Sequence, residues 1–219
     1  MQENNYSQED AYNQYWKQKK QITLESYITL FLVILNCLLL IATLIEGPDI
    51  YRAGALIADN VISGKEIYRM ITSLFLHADI EHLFGNMIML LFVGPALEKV
   101  VGHIWFTVIY FAAGIVGNAV SIFYEKLLNQ TWICYGASGA VFGIVGAMGL
   151  IIFFNRKRLK ELGSNLPARM GFMVIYALYS GFRNVTVNNA AHIGGVITGI
   201  LLMCIYILYR RNSFLEVYL

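Results

Sequence analysis

Long stretches without a charged side chain alternate along this chain with short polar segments. The charge-free runs are 26–45, 82–97, 100–124, 127–155, 170–182 and 184–209. A helix needs about 20 residues to cross the hydrocarbon of a bilayer, so most of these runs predict one transmembrane helix each. The fifth is short. Pro167 suits a first helical turn, and Arg169 and Arg183 can reach toward opposite interfaces, which extends that helix to an adequate length. The fourth is long enough to hold a loop, Thr131 to Gly136, before its helix. The pattern predicts an all-α, polytopic membrane protein of six helices. Its parts are a polar N-terminal tail (1–25), a six-helix domain (26–211) with an external loop (46–81), and a short C-terminal tail (212–219).

Composition agrees with this reading: 58% of residues are hydrophobic and 14% charged, against about a quarter charged in soluble domains. The net charge of +2 leaves no broad basic face, so nucleic acid is not an expected partner. Cys37, Cys134 and Cys204 lie too far apart for a disulfide framework or a zinc site and read as buried thiols. His77 and His82 are five apart, where an inverted zinc motif has its histidines four apart on one helix face, and there is no HExxH. No metal or organic cofactor is expected. Glu3, Glu9 and Asp10 argue against a cleaved signal peptide or an organellar presequence. With the N-terminus inside, 11 of the 16 cations fall in cytoplasmic segments, which predicts both termini in the cytoplasm of a bacterial plasma membrane. There is no internal repeat.

Polar groups within apolar spans are costly in lipid, so they mark where chemistry is to be sought. His82 and Asn86, four apart, share a helix face at the outer end of the second span. Ser138 opens the helix of the fourth span and His192 lies near the outer start of the sixth, so all four are expected at one depth. A serine hydroxyl becomes a nucleophile when a base takes its proton, and amides or N–H groups can hold the resulting oxyanion. Gly136, Gly139, Gly143 and Gly146, with Gly195 and Gly199 in the sixth span, would let the backbones approach closely enough to bring Ser138 and His192 together. Taken singly, a glycine-rich helix and a membrane histidine are as readily explained by packing. Their conjunction at one depth favours a site.

These residues resemble the rhomboid intramembrane serine proteases over roughly residues 68–199. Tyr68-Arg69 through His77 is similar to the family's Trp-Arg segment, with tyrosine in place of tryptophan. His82 to Asn86 matches its His-x-x-x-Asn motif, Glu98 its acidic residue at the inner end of the second helix, Gly136-Ala137-Ser138-Gly139 its nucleophile motif, and Ala191-His192 through Gly199 its histidine motif. The resemblance implies a six-helix fold in which Ser138 is nucleophile and His192 general base and then acid. It also implies Asn86, His82 and the Ser138 N–H as oxyanion donors, with Gly136 beside them. Phe142 takes the place of a tyrosine that stacks on the catalytic histidine, and a phenyl ring can still stack. The implied substrates are single-pass membrane proteins, cut near the outer face after a small side chain. Asp79, Glu81 and Glu125 are the acids nearest in sequence to these helix ends, and each is expected to be dispensable to a Ser-His dyad. Oligomeric state stays open. Two rivals are a non-catalytic relative that binds transmembrane helices, and a small channel or carrier that moves protons along His82 and His192.

Overall fold

The computed structural model describes residues 12–14, 16–17, 20–161, 167–168, 170–172, 175 and 188–210. In chain order the elements are α1 (Tyr27–Glu46), α2 (Asp49–Gly54), β1 (Leu56–Ile57), α3 (Ala58–Ile62), α4 (Arg69–Thr72), a 3-10 turn (Ser73–Phe75), α5 (Ile80–Val101), α6 (His103–Leu127), β2 (Ile133–Cys134), α7 (Ser138–Phe154), α8 (Arg156–Glu161) and α9 (Asn189–Tyr209). Helices α1, α5, α6 and α9 are each long and apolar enough to cross a membrane, and α7, with 17 residues, is a shorter apolar helix. They correspond to five of the six expected spans, and the protein is an all-α membrane bundle. The fifth expected span, 170–182, lies mostly outside the described residues, as do Arg169, Arg183 and the C-terminal tail. Within the N-terminal tail, residues 20–24 are already helical.

Helix α7 occupies the middle of the bundle. Residues 139–148 are all buried, as expected of a helix that is apolar on every side and surrounded by others. On one flank it meets α6, where Ala113 faces Gly143 and Gly114 faces Ala140, and on the other it meets α9 with almost no side chains between. A Cβ placed on Gly195 would stand 2.0 Å from the Gly139 carbonyl oxygen, and one on Gly199 would stand 1.9 Å from that of Gly143. Only glycine permits this approach.

Helix α1 is peripheral and turns Phe31, Ile34, Leu38, Ile41 and Leu44 outward. Its other face buries Leu32 and Leu40 in the core, and a polar contact ties it to α5. Glu98, 1% exposed, accepts from the N–H groups of Ile28 and Thr29 (3.0 and 2.9 Å), from Thr29 Oγ1 (2.6 Å), and pairs with His103 Nδ1 at 2.6 Å. A carboxylate at the first turn of a helix satisfies N–H groups that have no partner within the helix and complements its dipole.

The segment expected as a plain external loop is instead built structure. Strands β1 and β2 pair antiparallel, Leu56 opposite Cys134 and Ile57 opposite Ile133, so the predicted loop before α7 contributes a strand. Arg69, 4% exposed, ties this layer together. It donates to the carbonyls of Ala55 (2.6 Å) and Arg52 (2.8 Å) and to Glu66 (2.5 Å). That pairing also holds the Glu66 carboxyl below the usual carboxylate range. The planar guanidinium can bond in three directions at once, which an ammonium on a flexible stem does less well.

Candidate active site

Ser138 is the first residue of α7. The chain reaches it through Gly136, whose φ of +135° lies where residues with a Cβ are strained, and whose N–H donates to the Ser73 carbonyl at 2.9 Å. A Cβ on Gly136 would also strike the His82 ring, at 2.8 Å from Cε1 and 3.0 Å from Nε2. Glycine is therefore required there twice, once for backbone angle and once for space. The cap residue Ala137 offers no side-chain bond, so no cap side chain takes up the N–H groups of the first turn of α7.

His192 lies in the first turn of α9, which starts where the Asn188 side chain accepts from the Ala191 N–H at 3.1 Å. Its Nε2 is 2.8 Å from Ser138 Oγ. The ring is 6% exposed and stacks on Phe142, centroids 4.3 Å apart and planes 15° from parallel. Phe142 is one helical turn below Ser138, so a single face of α7 presents both the hydroxyl and the surface on which the imidazole rests. Among the described residues, Nδ1 of His192 has no hydrogen-bond partner.

The helix N-cap of α5 places the other two expected residues. Asp79 accepts from the His82 N–H at 2.7 Å and starts the helix, which puts the His82 ring against Gly136 and Asn86 one turn deeper. Asn86 is engaged by a residue for which the spacing argument had no role: its Nδ2 lies 3.1 Å from His77 Nε2. His77 is 1% exposed, its carbonyl accepts from the Tyr51 hydroxyl, and its ring meets His82 edge-on at 5.1 Å. Burial pushes the His77 imidazole down to about 3, so it is neutral at ordinary pH and its Nε2 accepts from the amide. The structure thus gathers Ser138, His192, Phe142, His82 and Gly136 around one point and places Asn86 beneath His82.

Of the three acids nearest in sequence, Asp79 caps α5, Glu81 is exposed, and Glu125 is buried near the C-terminal end of α6. No group of three potential metal ligands occurs among the described residues. The cysteines are free but only partly buried, a departure from the expectation of buried thiols. Cys134 joins a polar cluster with Ser121 and Asn188. Asn188 carried a legible sign, a capping residue just before an apolar run, whereas nothing in the spacing pointed to Ser121.

Residues 64–209 match the family described as the Rhomboid domain. Among similar proteins, the Rhomboid protease GluP of Bacillus subtilis is 36% identical over 142 residues, 64% of this chain and 26% of that protein. The mitochondrial RHOMBOID-like protein 6 of Arabidopsis thaliana is 36% identical over 174 residues, 78% of this chain and 54% of that protein. Rhomboid-like protease 3 of Toxoplasma gondii is 34% identical over 145 residues, 66% of this chain and 53% of that protein. The matched region spans between about a quarter and a half of these relatives. With the family match running from residue 64 to the end of α9, over more than half the chain, this protein belongs to the rhomboid family.

Proposed function

We propose that the chain is an intramembrane serine endopeptidase working through a Ser138–His192 dyad. The observation that carries this reading is the 2.8 Å contact between His192 Nε2 and Ser138 Oγ, within the range a general base needs. His192 Nε2 takes the hydroxyl proton as Oγ attacks the scissile carbonyl carbon. The tetrahedral oxyanion is met by the Ser138 N–H at the start of α7, where the helix dipole favours negative charge, and by N–H donors of His82 and Asn86. The imidazolium then gives its proton to the leaving amine as the C–N bond breaks, leaving a serine ester. Water adds to that ester with His192 again as base, and as the acyl–Oγ bond breaks the imidazolium returns its proton to Oγ and the acyl group leaves as a carboxylic acid. The unpartnered Nδ1 supports a dyad rather than a triad.

The substrate is a single-pass membrane protein cut near the outer face. A helical peptide bond is shielded by its own hydrogen bonds, so the substrate must unwind locally, which glycine, proline or polar residues favour. The site works without metal or organic cofactor, and the chain lies in the bilayer of a bacterial plasma membrane with both termini cytoplasmic.

A fluorophosphonate probe tests the reading. The purified chain should be labelled at Ser138, and Ser138→Ala should abolish labelling and cleavage while leaving the fold intact, because it deletes a single oxygen atom. Cleavage that persists in Ser138→Ala rejects the serine mechanism. A folded wild-type chain that neither labels nor cleaves points to a helix-binding relative, and ion flux without label points to a carrier.

A further inference from the structure

Apart from the dyad contact, one polar cluster ties together the two segments that carry the dyad. Asn188 lies four residues before His192, and Cys134 four residues before Ser138. The Asn188 amide Nδ2 donates to Cys134 Sγ at 3.1 Å and to Ser121 Oγ on α6, while Ser121 Oγ and Cys134 Sγ are 3.7 Å apart. On its other side Asn188 Oδ1 accepts from the Ala191 N–H at 3.1 Å, and its main-chain carbonyl accepts from the His192 N–H at 3.3 Å. A primary amide has two N–H donors and one carbonyl oxygen. All are used, so this side chain is held in a single orientation across three elements.

We propose that Asn188 is a positioning residue, a clamp that joins the start of α9 to β2 and α6 and so sets the register of His192 against Ser138. The proposal rests on the dyad reading above. The glycine contacts between α7 and α9 decide how closely the helices approach. Surfaces stripped of side chains, however, offer few ridges against sliding along the axis. One residue of slip is about 1.5 Å, and a misplacement near 1 Å can cost about a hundredfold in rate. A directional amide bond at the outer end, one helical turn from the imidazole, resists that slip where it matters. The simpler alternative is that Asn188 only caps α9.

Two substitutions separate the alternatives. Asn188→Asp keeps an oxygen for the Ala191 N–H, so the cap survives, but it replaces the donor facing Ser121 and Cys134 with an acceptor. Ser121→Ala removes an acceptor of the clamp and leaves the cap untouched. For the full-length chain in one detergent, the readouts are kcat and KM on a single substrate, the rate of fluorophosphonate labelling at Ser138, and the thermal midpoint. Each variant is expected to lose about tenfold or more in kcat and labelling rate with KM within about twofold. The double variant should be no slower than the slower single one, because both break one clamp. Wild-type kcat in Asn188→Asp, a loss confined to KM or thermal midpoint, or losses that multiply in the double variant would each overturn the proposal. Should Asn188→Asp fail to fold, Ser121→Ala decides alone, and wild-type kcat there overturns it. If the wild-type chain neither labels nor cleaves, the protease reading fails and the clamp with it. Wild-type turnover with unaffected variants sinks the clamp alone.

Discussion

Asn86 sits one turn below His82 with its amide nitrogen bonded to neutral His77. That nitrogen carries two hydrogens, and the His77 bond uses one, so a donor remains for a developing oxyanion. Removing one such donor in a serine protease lowers turnover by about a hundred- to a thousandfold. Asn86→Ala is expected to lower kcat on that scale with little change in KM, measured on one substrate in detergent. A change confined to KM would assign the residue to packing against His77 instead. The acids make the complementary case. Asp79 is committed to capping α5, and no acid bonds to His192 among the described residues. Asp79→Asn, Glu81→Gln and Glu125→Gln should therefore each retain turnover within a few-fold of wild type. In triad enzymes the equivalent replacement of the orienting aspartate costs about ten-thousandfold, and a folded variant approaching that loss would install a third member.

The helices show where a charge-based reading of the chain stops short. The second charge-free run ends at residue 97, yet α5 continues through Glu98 and Lys99 to Val101. Glu98 can be buried within the helix because the N–H groups of Ile28 and Thr29, the Thr29 hydroxyl and His103 surround it. A carboxylate satisfied in this way no longer marks a helix end. Helix α6 likewise runs past Glu125 and Lys126 to Leu127. Between α7 and α9 the glycine pattern was legible, but which glycine meets which carbonyl was not. The expected consequence is specific. Gly199→Ala puts a Cβ 1.9 Å from a backbone oxygen that cannot move aside, so it should lower the thermal midpoint and activity together, on the scale of about 1–3 kcal/mol for an overpacked core. Gly149→Ala, on the same bundle with nothing within 4 Å of its Cβ, should be neutral or gain up to about 1 kcal/mol from helix propensity. Equal losses in both would mean that the α7–α9 approach is looser than these distances.

At the scale of the whole molecule, the apolar faces of α1 and α9 and the buried centre of α7 describe a bundle whose solvent is lipid. The positive-inside tendency predicts its direction. Arg156, Lys157, Arg158 and Lys160 directly follow the C-terminal end of α7 in sequence, while Ser138 is at the opposite end of that helix. Reporter fusions at either terminus should read cytoplasmic, and fusions placed after Gly64 in the external segment should read outside. The reverse pattern would put the site on the inner face and change the class of bond it can reach.

Five of the six expected spans, and the placing of Ser138, His192, His82 and Asn86 at or near the starts of their helices, were legible in the sequence itself. The reason is that lipid forces every backbone polar group into helix and expels charge to the ends, so one-dimensional spacing carries three-dimensional information. Atomic meetings are another matter. Ser138 and His192 are 54 residues apart, and only the glycine-mediated approach of α7 and α9 brings Oγ to Nε2. The strand pairing of β1 with β2, the His77 bond that orients Asn86, and the amide of Asn188 between Ser121 and Cys134 depend on side-chain direction and on neighbours distant in the chain. Tertiary packing decided them, because no local periodicity encodes which donor will find which acceptor.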